Sequence, residues 1–167
     1  MANKAIIKTA TALIELCKRR RLKIAAAESC TGGLVAAAFT EISGSSAVFE
    51  RGYVTYSNDA KHEMLGVSLD TLNKFGAVSR ETAIAMALGA LRNAHADLVV
   101  AITGVAGPGG GTRIKPVGLV HFAAATSTGK GNILHVEMRY GKIGRAKVRE
   151  RSVLQALAML QELLEKR

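Results

Sequence analysis

The stretch "DLVVAITG", residues 97 to 104, sets five apolar residues in succession between an aspartate and a threonine. A β-strand turns successive side chains to opposite faces, so a strand without polar alternation has no wet face. It must be covered on both sides, which places it centrally in a sheet sandwiched between helices. "KIAAAE", residues 23 to 28, is a second strand of the same kind.

The segments between them read as helices that supply the cover. Ile and Leu at helical spacing predict a first helix over residues 3–21, ending in the basic run "KRRRLK", where cations suit the helix dipole. After the strand at 23–28 the chain turns at Ser29–Gly33 and enters a helix through Ile42. "SSAVFERGYVTYS" is β-rich and predicts a strand ending near Tyr56. Ser57 or Asn58 then caps a short helix, "DAKHEMLG", and a second short helix follows around "SLDTLNKFG", each closed by a glycine. Ser79 caps "RETAIAMALGALRNAHA", which buries one face. After "VAGPGGGTRIKPVG", a glycine-rich loop, "LVHFAAAT" and "NILHVEMRY" predict an antiparallel hairpin across "STGKG". A last helix runs from Ile143 to Glu165. The expectation is one α/β domain over residues 1–167, a three-layer α/β/α sandwich with a mixed sheet.

The chain has 167 residues, enough to bury a core without disulfides or metals. Cys17 and Cys30 have neither CxxC spacing nor histidine neighbours that would mark a metal site, so no metal and no disulfide are expected. No apolar run is long enough for a membrane span, and the N-terminus lacks the pattern of a secretion signal, which predicts a cytoplasmic protein. The net charge of +10 is concentrated at the ends. Residues 1–23 carry seven Lys/Arg against one Glu, residues 24–129 seven against eight acids, and residues 130–167 nine against four. Terminal charge of this kind reads as solvated helix faces rather than as one nucleic-acid surface. Aromatics make up only 4% of the chain, and no reader motif is present.

In open α/β sheets, sites form beyond the carboxyl ends of the strands. Three polar or glycine-rich segments leave strands here: "ESCTGG", "VTYSNDAK" and "ITGVAGPGGGT". If those strand ends are neighbours, Ser29, Tyr56, Lys61 and Thr103 meet in one pocket. Three nucleophiles stand in a row at Ser29, Cys30 and Thr31, and a serine needs a base before it can attack. The loops offer no histidine except His62, and "ESCTG" is not the G-x-S-x-G elbow. A lysine of depressed pKa, with a tyrosine orienting it, fits the loop contents better. On the residues alone, a serine at a helix N-terminus is more often a plain cap, and Lys61 on a short helix reads as a solvated cation.

"AESCTGGLVAAAFTEISGSSAVFERGYVTYSNDAKHEMLGV", "GAVSRETAIAMALGAL" and "ITGVAGPGGGTRIKPVGLVHFA" resemble the CinA C-terminal domain family over about residues 5–165. The resemblance implies a stand-alone, single-domain nicotinamide-nucleotide amidohydrolase. Such an enzyme converts nicotinamide mononucleotide to nicotinate mononucleotide and ammonia, needs no cofactor and has a small nucleotide as its partner. It makes Ser29 the nucleophile and matches Tyr56 and Lys61 to the catalytic tyrosine and lysine. Cys30 then packs as a small hydrophobe and Thr31 helps to cap the following helix. Cys30, Thr31, Gly32 and Gly33 of the turn, together with Thr103, Gly104, Gly107 and Arg145, form the expected substrate-binding set. The "YGKIGRAKVRE" stretch supplies Arg145 and Arg149 but lacks the aspartate of the family's "GDR..IR" pattern.

Two other functions compete with this one. A non-catalytic nucleotide-binding or competence-related module would use the same glycine-rich pocket without chemistry. A nucleic-acid binder would rest on the basic charge and is disfavoured for the reasons above. The apolar faces of the first and last helices leave room for a homo-oligomer.

Overall fold

The computed structural model describes residues 3–127 and 132–166. Helix α1 (Lys4–Arg20) precedes strand β1 (Ile24–Glu28), helix α2 (Leu34–Thr40) and strand β2 (Phe49–Val54). Helices α3 (Asn58–Leu65), α4 (Leu69–Phe75) and α5 (Arg80–Asn93) lead to the central strand β3 (Leu98–Gly104). Strands β4 (Leu119–Thr126) and β5 (Ile133–Arg139) and the long helix α6 (Arg145–Glu165) complete the chain. The sheet order is β2-β1-β3-β4-β5, parallel across β2, β1 and β3 and antiparallel from β3 to β5. The three-layer mixed sandwich and the hairpin are therefore as expected; most of the "STGKG" turn lies outside the described residues.

The apolar runs have the predicted cause. Along β1, Ile24 and Ala26 join the core under α1, α2 and α6, while Ala25 and Ala27 join the core under α3, α4 and α5. In β3, Leu98, Val100 and Ile102 face the first layer and Val99 and Ala101 the second. Burying side chains on both faces at about 25 cal/mol per Å² stabilises the sheet centre, and it leaves no polar position to spare.

Three serines cap as their positions suggest. The side chains of Ser57, Ser68 and Ser79 accept from the main-chain N–H groups of Ala60, Thr71 and Thr82. Asn3 caps α1 in the same manner, accepting from Ala5. The helix α5 stops at Asn93, short of "AHA", and crosses α3 at Gly89, where a Cβ would come within 1.9 Å of the Leu65 carbonyl oxygen. The apolar faces of α1 and α6 pack into the core. Ile6, Leu13, Ile14, Leu157, Leu160 and Leu164 are all buried there. Part of the basic run is structural too: Arg20 of α1 donates to the Leu164 carbonyl of α6. Among the described residues no helix is long and apolar enough to cross a membrane.

Candidate active site

The carboxyl ends of the three parallel strands lie side by side, and the segments that leave them meet. Ser29 follows β1 directly, and its N–H donates to Ile102 of β3, so the serine is fixed by one more rung of the ladder. The chain then reverses through Gly32 (φ 58°) and Gly33 (φ 97°), a left-handed region open to glycine at little cost. At this reversal Glu28, fully buried at the end of β1, turns its carboxylate onto the start of α2. It accepts from the N–H groups of Gly33, Val35 and Ala36 at 2.9–3.1 Å.

Glu28 is the residue that sequence reasoning missed, although its side chain does what Thr31 was expected to do. The Thr31 hydroxyl is buried and makes no hydrogen bond among the described residues. Its carbonyl instead accepts from Arg149 of α6 at 3.0 Å. A carboxylate can satisfy several N–H groups at a helix start, where a hydroxyl satisfies one. The signal in the sequence was an acid just before a helix N-terminus, where negative charge is favoured.

The glutamate also determines which amides stay available. Gly32 N–H donates to Ser29, Gly33 N–H to Glu28 and Leu34 N–H to Thr31. Among the described residues, the N–H groups of Cys30 and Thr31 donate to no other residue's oxygen. They sit beside Ser29, where an oxyanion would form.

Lys61 comes from the second turn of α3 with its side chain only 1% exposed. Its Nζ stands 3.0 Å from Ser29 Oγ. Two carbonyls, Thr55 at 2.9 Å and Tyr56 at 3.3 Å, accept from it, with Ser57 O further off at 3.5 Å. Burial disfavours the ammonium and pulls the Lys61 pKa below the ordinary lysine value. A neutral amine has two N–H groups and one lone pair. With both protons on the nearer carbonyls, the lone pair faces the serine hydroxyl.

Cys30 is 5% exposed, and burial pushes its thiol up to about 12, so it stays protonated at neutral pH. The lowered value that a helix N-terminus can give a thiol is overridden by loss of solvent. His62 is turned away, with Nδ1 2.8 Å from the Val67 carbonyl.

Ser29, Cys30, Tyr56, Lys61, Thr103, Gly104 and Arg145 share one cavity of about 210 Å³ with Ala77, Val78 and Ala106. Three of these side chains already have hydrogen-bond partners. Tyr56 is 61% exposed, and its hydroxyl pairs with Arg145 at 3.0 Å, at the mouth rather than beside Lys61. Thr103 is buried, and its hydroxyl donates to the Ala77 carbonyl at 2.7 Å. Arg145 is exposed and also donates to the Gly107 carbonyl, which brings the glycine-rich loop to the rim. Gly32 and Gly33 shape the turn behind the serine, and Thr31 stands with them outside the cavity lining. Ala77 and Val78 had carried no signal, because an alanine and a valine have no chemistry to betray them. A larger groove of about 560 Å³ between α1, α2 and α6 is lined by no serine, threonine or cysteine.

A serine and a buried lysine, with the backbone N–H of Cys30 beside them at the carboxyl ends of parallel strands, define a site suited to acyl transfer. The model of the CinA C-terminal domain matches residues 6–164, and the chain belongs to that family. It is 56% identical over 114 residues to the nicotinamide-nucleotide amidohydrolase PncC of Escherichia coli, covering 68% of this chain and 69% of that protein. It is 50% identical over 150 residues to a CinA-like protein of Chloroherpeton thalassium, covering 90% of this chain but 36% of that longer protein. A competence/damage-inducible protein from Agrobacterium tumefaciens has the same fold, with a TM-score of 0.95, 54% identity and 98% of each chain covered. A CinA superfamily protein from Escherichia coli superposes with a TM-score of 0.88 at 35% identity, covering 98% of this chain and 93% of that one.

Proposed function

We propose that the chain is a nicotinamide-nucleotide amidohydrolase that works through an acyl-enzyme on Ser29. One observation carries the reading: a lysine that is 1% exposed lies 3.0 Å from a serine hydroxyl at the floor of a cavity. The similarity to PncC, a protein named nicotinamide-nucleotide amidohydrolase, supports a nicotinamide nucleotide as the substrate class, and nicotinamide mononucleotide is the member we assign.

Ser29 Oγ attacks the carboxamide carbon while its proton passes to Lys61 Nζ. The carbonyl oxygen becomes an oxyanion, which accepts from the backbone N–H of Cys30, the residue of the turn that lines the cavity beside Ser29. The tetrahedral carbon then collapses, the C–N bond breaks and ammonia departs with the proton that Lys61 held. Water attacks the resulting ester, giving a proton to Lys61 that returns to Ser29 Oγ, and the nicotinate product leaves. Arg145, exposed at the mouth between Tyr56 and Gly107, is the cation placed to meet the phosphate. Tyr56 orients Arg145 through its hydroxyl and accepts a hydrogen bond from Lys61 at its carbonyl, so it supports both ends of the site.

The test is ammonia release across a panel of amides. Nicotinamide mononucleotide is expected to turn over well ahead of nicotinamide, which lacks the phosphate. Binding of the mononucleotide without ammonia would instead make the chain a nucleotide-binding module.

A further inference from the structure

Three successive carbonyls, from the last residue of α4 into its link with α5, are each taken by a side chain. The Phe75 carbonyl accepts from Lys115 Nζ of the glycine-rich loop. The Gly76 carbonyl accepts from Ser79 Oγ at 3.1 Å and Thr82 Oγ1 at 2.7 Å. The Ala77 carbonyl accepts from Thr103 Oγ1 of β3 at 2.7 Å. Connections of this kind ordinarily leave their carbonyls to water. Here the segment is held from the loop, from β3 and from α5. Lys115 lies so close over Gly76 that a Cβ there would come within 2.7 Å of Nζ.

The next residues, Ala77 and Val78, form a wall of the cavity. Cys30 and Ala106 also line it, and they belong to the core layer under α1 and α6. The segment 75–79 belongs to the other layer, since it leads into α5. The apolar half of the cavity therefore takes one wall from each side of the sheet, with Ser29 and Lys61 as its polar end.

We propose that this apolar half is a slot for a planar ring, with Val78 as its specificity-determining residue and Lys115 as the positioning residue that keeps the wall from yielding. The proposal rests on the amidohydrolase reading of the same site. A flat ring presents less thickness than a puckered one, so a wall that cannot retreat admits the first and rejects the second. Lys115 acts only through the Phe75 carbonyl, and Thr103 supports the same wall from below through Ala77.

The pair of probes is benzamide and cyclohexanecarboxamide, which differ chiefly in flatness, titrated by calorimetry onto the full chain. The parent protein should bind benzamide roughly tenfold more tightly, the scale on which a small change of shape is read in an apolar pocket. Val78→Ala should bring the two affinities close together. Lys115→Met should lower the preference several-fold and raise KM for nicotinamide mononucleotide more than it lowers kcat. Lys115→Arg, which can still donate to Phe75, should restore both. Equal affinities in the parent, no binding of either ring, or an intact preference in both Val78→Ala and Lys115→Met would overturn the proposal. If Lys115→Met does not fold, Val78→Ala decides. A parent that prefers benzamide yet releases no ammonia from the mononucleotide would leave the slot standing and sink the amidohydrolase reading alone.

Discussion

Among the described residues, a buried lysine–serine pair in the parallel half of the sheet can be set beside a part-buried histidine pair in the antiparallel half. In the parallel half, Lys61 Nζ lies 3.0 Å from Ser29 Oγ. In the antiparallel half, His121 Nδ1 lies 3.0 Å from His135 Nε2, with the rings stacked. Burial lowers the pKa in both places, for Lys61 and for each histidine. The difference is position. The lysine and serine stand past the strand ends, at a cavity and beside two undonated amides. The histidines project from within β4 and β5, and neither lines that cavity. A short contact and a shifted pKa occur in both pairs, whereas a space for substrate and a place for developing charge occur in one.

Ser29→Ala gives the largest expected effect on this contrast. Ammonia release should fall roughly 10³–10⁶-fold, the range seen when a serine nucleophile is removed, with the melting curve nearly unchanged. Lys61→Arg comes next. A guanidinium stays protonated and cannot accept the serine's proton, so the loss should be roughly 10²–10⁴-fold despite the retained charge.

Lys61→Met should also inactivate, yet it should stabilise. The Lys61 pKa is lower in the folded protein than in the unfolded chain. Between those two values the folded state binds fewer protons, so stability rises with pH there and is poorest below the folded value. Removing the group at neutral pH lifts that cost. A gain on the order of 1 kcal/mol would raise the midpoint by about 2–4 °C in a chain of this size. A lower midpoint would mean that the three carbonyls hold an ammonium rather than an amine.

Arg145→Ala should raise KM for the mononucleotide about tenfold or more, as loss of a charge-assisted contact does, and should change little for nicotinamide. Equal effects on the two would assign Arg145 to structure alone, tying Tyr56 to Gly107. The smallest activity changes should come from His121→Ala and Cys30→Ala. Each should leave ammonia release near the parent rate while costing about 1–3 kcal/mol of stability, from an abandoned partner or a small cavity. An inactive Cys30→Ala with a normal melt would transfer the nucleophile from the serine to the thiol.

What could be read in advance followed from local rules. Uninterrupted apolar runs placed β1 and β3, Ser57 and Ser79 marked two helix starts, and polar strand exits marked Ser29, Tyr56, Lys61 and Thr103. Residues whose role is set by distant partners stayed hidden. An acid ahead of a helix start hinted at Glu28 without saying which N–H groups it would meet, and nothing local says that the Thr103 hydroxyl will be taken by Ala77. The Ala77–Val78 wall exists because Lys115, Thr82 and Thr103 converge on one segment from separate elements. Such convergence is a property of the packed chain.

The central claim is that burial keeps Lys61 neutral enough to act as a base on Ser29. It is tested most directly by following the Lys61 ε-carbon through a pH titration by NMR in 13C-lysine-labelled enzyme, assigned against Lys61→Met. The account predicts a Lys61 pKa well below the ordinary value of about 10.4. It also predicts that kcat/KM for the mononucleotide rises with pH along the same curve, because only the neutral amine accepts the proton. A Lys61 that titrates like the surface lysines, or an activity that rises at a pH unrelated to its titration, would contradict it.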